Sequence, residues 1–223
     1  MFLNGEGEFL IKKYSHIIWD WNGTIIDDAE LCVSIVNEIL EARGLPELLL
    51  EEYREQFDFP VRDYYKRLGL PDKGSEFSEI SSHFIEKYHI HWKECPLQKY
   101  AREVVSTIDS LGVYQSLLSA GKEDHVKSFV RHHNLHDYFF AVVGTTNIYA
   151  EGKIDRATSF MNTSVLKDQR YLLVGDTLHD HEVAQALGID CLLFSKGHHS
   201  EKKLAQTGSP IIHELDQLLE WVS

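Results

Sequence analysis

Two periodicities divide this chain. Short runs dominated by apolar residues, at 17–19, 113–118, 138–143, 171–174, 191–194 and 210–212, have the length of β-strands. Those without polar alternation read as strands covered on both faces. Between them, 101–111, 124–134, 156–162, 179–187 and 215–222 repeat apolar residues at helical spacing. Strand-then-helix order with short connections predicts an α/β protein with a parallel sheet and helices on both faces.

The alternation is interrupted once. Leu31, Ile35, Ile39 and Leu40 fall on one helical face, in a run that stops at Gly44 and Pro46. From Asp28 to Lys99 nothing reads as a strand. Segments 49–57 and 61–68, separated by Pro60, are helical, and so is 77–92, where Ile80, Phe84 and Tyr88 lie four apart. This stretch is an acidic helical insertion of about 70 residues, enough for a small lobe. The expected division is therefore a sheet-bearing domain from 14–27 and 97–223, a helical insertion at 28–96, and an N-terminal arm at 1–13.

A chain of 223 residues buries one full core and a smaller second lobe. Its formal net charge is −13, with no basic face visible, which argues against nucleic acid or another large polyanion as partner. No stretch approaches the roughly 18 consecutive apolar residues of a membrane helix, so no membrane partner is expected. The first residues lack the basic start and long apolar segment of a secretory signal. Cys32, Cys95 and Cys191 are scattered, with no CxxC pair, which suggests neither a disulfide framework nor a zinc knuckle. The expected location is cytoplasmic; the sequence does not speak to oligomeric state.

The chemistry gathers at strand ends. Ile17, Ile18 and Trp19 run straight into Asp20, followed by Trp21, Asn22, Gly23 and Thr24. Asp20 would stand at the carboxyl end of a buried strand, where open α/β sheets bind ligands, with Asn22 facing the same way. A second apolar run, Leu172–Val174, leads through Gly175 to Asp176, with Asp180 four residues on, in the first turn of a helix beginning near Leu178. Two such carboxylate-bearing ends make a hard-oxygen site suited to Mg²⁺ with substrate phosphate. Ser119 could donate to a phosphate oxygen and Lys153 neutralise it.

These residues carry a resemblance. Asp20-Trp21-Asn22-Gly23-Thr24, Ser119, Lys153 and Gly175-Asp176-(x)₃-Asp180 occur in the order and spacing of the four motifs of the haloacid dehalogenase superfamily. From His16 onward the chain is similar to that superfamily's phosphoglycolate-phosphatase-like branch. The resemblance implies a Rossmann-like core, a helical cap at 28–96, an active site between them, and phosphoryl transfer from a small phosphorylated metabolite through an aspartyl-phosphate. Asp20 would be nucleophile and metal ligand. Asn22 occupies the acid/base position and would offer its main-chain carbonyl to Mg²⁺. Thr24 would hold the loop beside substrate, Ser119 and Lys153 would bind the phosphoryl group, and Asp176 and Asp180 would complete the metal site.

Asn22 departs from the family pattern, which has Asp there. An amide neither gives nor takes a proton at neutral pH, and losing such help removes about 10²–10⁴-fold in rate. The expectation is a competent phosphate site with an impaired proton-transfer step. A phosphonatase-like C–P hydrolase is the alternative enzyme; it would need a Schiff-base lysine in the cap, for which Lys66, Lys73, Lys87 and Lys93 are available. A catalytically silent protein that binds a phosphorylated metabolite is the alternative outside enzymology. Lys153 lies in GKID rather than before a proline, and Lys122 is a second candidate phosphate contact. The histidines are adjacent or i, i+2 pairs rather than the i, i+4 pair of zinc hydrolases; His198 and His199 are the ones placed to reach the site. Trp21 is expected to pack between core and cap or to floor the pocket, and Tyr64, Tyr65 and Trp92 to form the cap's own core.

Overall fold

The computed structural model describes residues 13–145, 153–162 and 170–222. The expected N-terminal arm therefore lies, except for Lys13, outside the described residues. Strand β1 (His16–Trp19) is followed by four helices, α1 (Ala29–Glu41), α2 (Leu50–Gln56), α3 (Val61–Arg67) and α4 (Gly74–His91). Then come α5 (Ala101–Ser110), β2 (Tyr114–Lys122), α6 (Glu123–His132), β3 (Ala141–Thr145) and α7 (Lys153–Met161). The chain continues through β4 (Tyr171–Gly175), α8 (Leu178–Leu187), β5 (Asp190–Phe194), α9 (Glu201–Leu204), β6 (Ile211–Ile212) and α10 (Leu219–Val222).

All strand pairs are parallel, in the order β3-β2-β1-β4-β5-β6. The α/β Rossmann-like architecture expected from the pattern is the one observed. Side-chain alternation splits the sheet between two apolar layers. Ile17, Trp19, Leu172 and Val174 enter a large cluster with Val104, Val105 and Ile108 of α5. Ile18 and Leu173 enter a second with Ala157 of α7 and Val183 of α8. Both faces are thus covered, which is why the strands read as apolar runs.

Several boundaries move. β2 runs to Lys122 rather than stopping near Leu118, so Ser119 lies within the strand; a register shift against β3 between Leu118 and Lys122 carries the pairing through the polar residues to Lys122↔Thr145. The strand expected at 138–143 begins at Ala141, because His136–Tyr138 forms a 3-10 turn, and the C-terminal helix opens with 3-10 geometry at Leu215–Leu218.

Helices α1–α4 add no strand and share the larger apolar cluster through Ile35, Tyr53, Tyr64, Ile80 and Tyr88. α2 is pinned to the segment after β5: Arg54 Nε donates to the Gly197 carbonyl at 2.9 Å and Nη2 to the Lys196 carbonyl at 3.0 Å. Lys203, in α9, donates to the Phe57 carbonyl and pairs with Asp58 at 3.2 Å. Among the described residues no helix is long and apolar enough to cross a membrane.

Leu172 is wholly buried in a central strand, so Leu172→Ala should cost about 2–5 kcal/mol of folding stability in urea titration. Ile90→Ala, on the exposed face of α4, should stay within about 0.5 kcal/mol.

Candidate active site

The strand order reverses beside β1, and open α/β sheets form their crevice at such a point. Asp20 follows β1, its amide donating to the Val174 carbonyl at 2.8 Å, so the ladder delivers it next to the end of β4, where Asp176 follows Gly175. The loop after Asp20 passes so close that a Cβ on Gly23 would sit 2.3 Å from Asp176 Oδ2, and Gly23 has φ +73°; glycine meets both demands. Thr24 Oγ1 donates to Asp176 Oδ1 at 2.7 Å and ties the two loops together.

Asp180 is the third residue of α8 and closes a capping box with Thr177. Its Oδ2 accepts from the Thr177 hydroxyl at 2.7 Å and from the amides of Thr177 and Asp176 at 3.0 and 3.1 Å. Lys153 opens α7, and its Nζ donates to Asp20 Oδ1 at 2.6 Å and to Asp180 Oδ1 at 2.7 Å. Lys153, expected to bind the phosphoryl group, is thus 3% exposed and enclosed by acids.

One ammonium faces three buried carboxylates, Asp20, Asp176 and Asp180, whose ligand atoms lie within 4.8 Å of one another. Burial pushes Asp20 up to about 8; Lys153 opposes this, while Asp180 and Asp176 add repulsion. Burial likewise raises Asp176 to about 6, against the pull of His198. Asp180 moves the other way, its burial outweighed by Lys153 and Thr177, and Lys153 rises because Asp180 and Asp20 outweigh its burial. The surplus of buried negative charge on hard oxygen atoms fits a divalent cation such as Mg²⁺.

Asn22 sits beside a fourth buried carboxylate, Asp28, to which the sequence assigned no part. Asp28 occupies the position before α1 without capping it. Its Oδ2 accepts from Asn22 Nδ2 at 2.6 Å and Tyr88 OH at 2.7 Å, and its Oδ1 from the Gly23 amide at 2.9 Å. His198 Nε2 lies 3.2 Å from the same Oδ1. The second hydrogen of the Asn22 amide goes to Tyr88 OH, at 2.8 Å. These donors and the His198 charge overcome burial and hold Asp28 below its usual range. His198, despite burial, is raised to about 9, chiefly by Asp28. Its amide donates to Asp176 Oδ2 at 2.6 Å and its Nδ1 meets Tyr53 OH of α2 at 2.9 Å. Asp28, Cys32 and His198 are close enough to share a metal, but the donors already converging on Asp28 satisfy it.

A cavity of about 200 Å³ opens on Asp20, Asn22, Lys153 and Thr177 at one end. His198 and Lys122 line it. His199 lies behind, accepting from the Leu178 amide at 3.0 Å. Ser119 is buried and not in the wall; its Oγ accepts from the Gly121 amide at 3.0 Å. Trp21 packs in the larger apolar cluster facing His133 rather than flooring the cavity. Tyr64 and Tyr65 both belong to that cluster and line the cavity, whereas Trp92 packs on Phe129. Sequence reasoning missed Asp28, Tyr53 and Tyr88; the one available signal was an acid just ahead of a predicted helix.

Known proteins bear on this geometry. Residues 17–194 match the family model of haloacid dehalogenase-like hydrolases. A phosphoglycolate phosphatase of Rhodobacter capsulatus is 21% identical over 206 residues, covering 91% of this chain and 94% of the relative. The tyrosine-protein kinase PtkA of Mycobacterium tuberculosis is 21% identical over 208 residues, covering 92% and 71% respectively. A haloacid dehalogenase-like family protein of Streptococcus pneumoniae has the same fold, with TM-score 0.80 at 17% identity over 94% of this chain and 98% of that one.

The raised carboxyls fix a sign. An unfolded aspartate titrates near 3.9, so between about pH 4 and about 8 the folded, metal-free protein binds protons that the unfolded chain has lost. Ionising Asp20 in the folded state therefore costs stability as pH rises through that window. Asp20→Asn should be the more heat-stable form, with a Tm advantage that widens from pH 5 to pH 8 in chelator. A constant or shrinking difference would contradict the charge surplus.

Proposed function

Since the chain belongs to the haloacid dehalogenase-like hydrolases, we propose that it is a Mg²⁺-dependent phosphatase of small phosphorylated molecules, with 28–96 as a cap over the site. The observation that carries this is the trio Asp20, Asp176 and Asp180 around Lys153 at the open end of a cavity. Asp20, Asp176 and Asp180, with the main-chain carbonyl of Asn22, would hold Mg²⁺. When bound, the ion neutralises charge on the phosphoryl oxygens and draws them toward the carboxylates.

Asp20 attacks phosphorus, and the bond from phosphorus to the ester oxygen breaks, the oxygen leaving with the electron pair. Lys153 offsets the charge gathering beside Asp20, and Lys122, in the wall of the same cavity, is the second candidate phosphate contact. Water then attacks phosphorus and the bond to Asp20 breaks, restoring the carboxylate and freeing phosphate. Asn22 can hand the leaving oxygen no proton, because both hydrogens of its amide are committed to Asp28 and Tyr88 and an amide is not an acid. The leaving group must depart as an anion or take its proton from water.

None of Lys66, Lys73, Lys87 and Lys93 lines the cavity, so the C–P hydrolase alternative has no Schiff-base candidate among them. A silent ligand-binding protein is the second reading, favoured by the locked Asn22. Turnover of 4-nitrophenyl phosphate separates the two. It should require Mg²⁺, stop on chelation and vanish in Asp20→Ala; metal-dependent binding without turnover selects the silent protein.

Asn22→Asp should raise turnover of alkyl esters by up to about 10²–10⁴-fold and of aryl esters by less. Its new carboxyl would face Asp28, and two carboxyls so close share a proton, so the gain should be largest on the acid side of neutrality. Asn22 precedes Gly23, a deamidation-prone pair, so peptide mapping of the unsubstituted protein should accompany the assay to show how much of the activity comes from molecules with aspartate at 22.

A further inference from the structure

The cavity beyond Asp20 has an unusual wall for a site that would take a hydroxy-acid or sugar phosphate. Its sides are Tyr53, Phe57, Tyr64 and Phe77 from the helical insertion and Phe129 from α6, with Phe84 and Ile85 of α4 completing them. Most of what this wall offers a hydroxyl or carboxylate is ring carbon, so hydrogen bonds to water given up there are poorly replaced; the polar exceptions include Ser81, Lys122 and the His89–His125 pair.

Charged groups do not alter this picture. Among the described residues no arginine lines the cavity. Lys153 is committed to Asp20 and Asp180, and Lys122, directly after Ala120 and Gly121, lines the cavity near the His89–His125 pair, on both of which its charge acts. His89 of α4 and His125 of α6 bond each other, Nε2 to Nδ1 at 2.7 Å, and burial keeps both below the usual histidine range. They form an uncharged bridge across the cavity. Apart from Lys122, the carboxylate of a phosphoglycolate-like ester would find no unpaired cation among the described lining residues, since His198 is held by Asp28.

Size narrows the choice. An apolar cavity of about 150 Å³ holds one benzene molecule, and this one is about 200 Å³. Chemistry narrows it again, since Asn22 supplies no proton and phenols leave without one far more readily than alkanols.

We infer that this site accepts a phosphate monoester whose leaving group is an apolar ring or chain of about six to eight carbon atoms, with aryl phosphates the best substrates. The inference deepens the phosphatase reading and depends on it for turnover, but not for binding. Loading such an ester places its phosphoryl group against Asp20 and its apolar body between Phe84, Phe129 and the tyrosines. The bond changes are those given above: the leaving oxygen departs as a phenolate, which solvent protonates.

Binding of non-hydrolysable phosphonates, read by calorimetry with Mg²⁺ present, tests the pocket apart from turnover. From methyl- to hexylphosphonate the affinity should rise about fourfold per methylene, then flatten beyond about eight carbons. Phenylphosphonate should bind at least tenfold tighter than 3-phosphonopropionate, which carries a carboxylate instead of the ring. Phe84→Ala should reduce the hexyl-to-methyl affinity ratio by about tenfold, with unchanged circular dichroism showing that it is folded.

In parallel, phenyl phosphate should exceed phosphoglycolate in kcat/KM. Turnover favouring phosphoglycolate, or a flat series, overturns the inference and leaves the phosphatase reading standing. An apolar series without turnover of any ester supports the pocket and sinks the phosphatase reading. No binding of any phosphonate removes both.

Discussion

Three carboxylates buried around one ammonium balance their charge only by holding protons or a further cation, and the rest of the structure accommodates that constraint. The parallel register of β1 and β4 brings Asp20 and Asp176 together, glycine at 23 lets the loop pass over Asp176, and Thr24 and the His198 amide hold its oxygens. The capping box of α8 turns Asp180 toward Lys153. Each device is ordinary strand or helix chemistry. Together they hold charge where water is scarce, which is the basis for proposing a cation site and a nucleophile here.

Around Asn22 the hydrogen-bond pattern has a different logic. An aspartate there would point acceptors at the acceptors of Asp28, whereas the amide supplies two donors, one to Asp28 and one to Tyr88. Asparagine is therefore the residue that this neighbourhood accommodates without an extra proton. The same contacts fasten α4 to the loop after β1, so Asn22 also helps dock the helical layer.

What could be read from the sequence was what lies on one strand or one turn. Asp20, Asp176 and Asp180 follow apolar runs directly, and the alternation of strands and helices gave the sheet its class. Ser119 was placed at a strand end because the polar residues 119–122 carry no apolar signal, although pairing with β3 carries the strand to Lys122. Asp28 could not be interpreted because its donors come from positions 22, 23, 88 and 198, which only folding assembles. The aromatic wall was hidden for the same reason: 53, 57, 64, 77 and 129 come from several helices and the segments beside them, and periodicity shows that they are buried, not that they surround a void.

Arg54 grips the carbonyls of Lys196 and Gly197, and the very next residue, His198, offers its amide to Asp176. A short peptide thus serves as handle at one end and as ligand support at the other. Any displacement of α2 must tug that peptide, so the helix and the hold on Asp176 are mechanically one part. In the proposed reaction, releasing product and loosening the cation would then be a single movement rather than two.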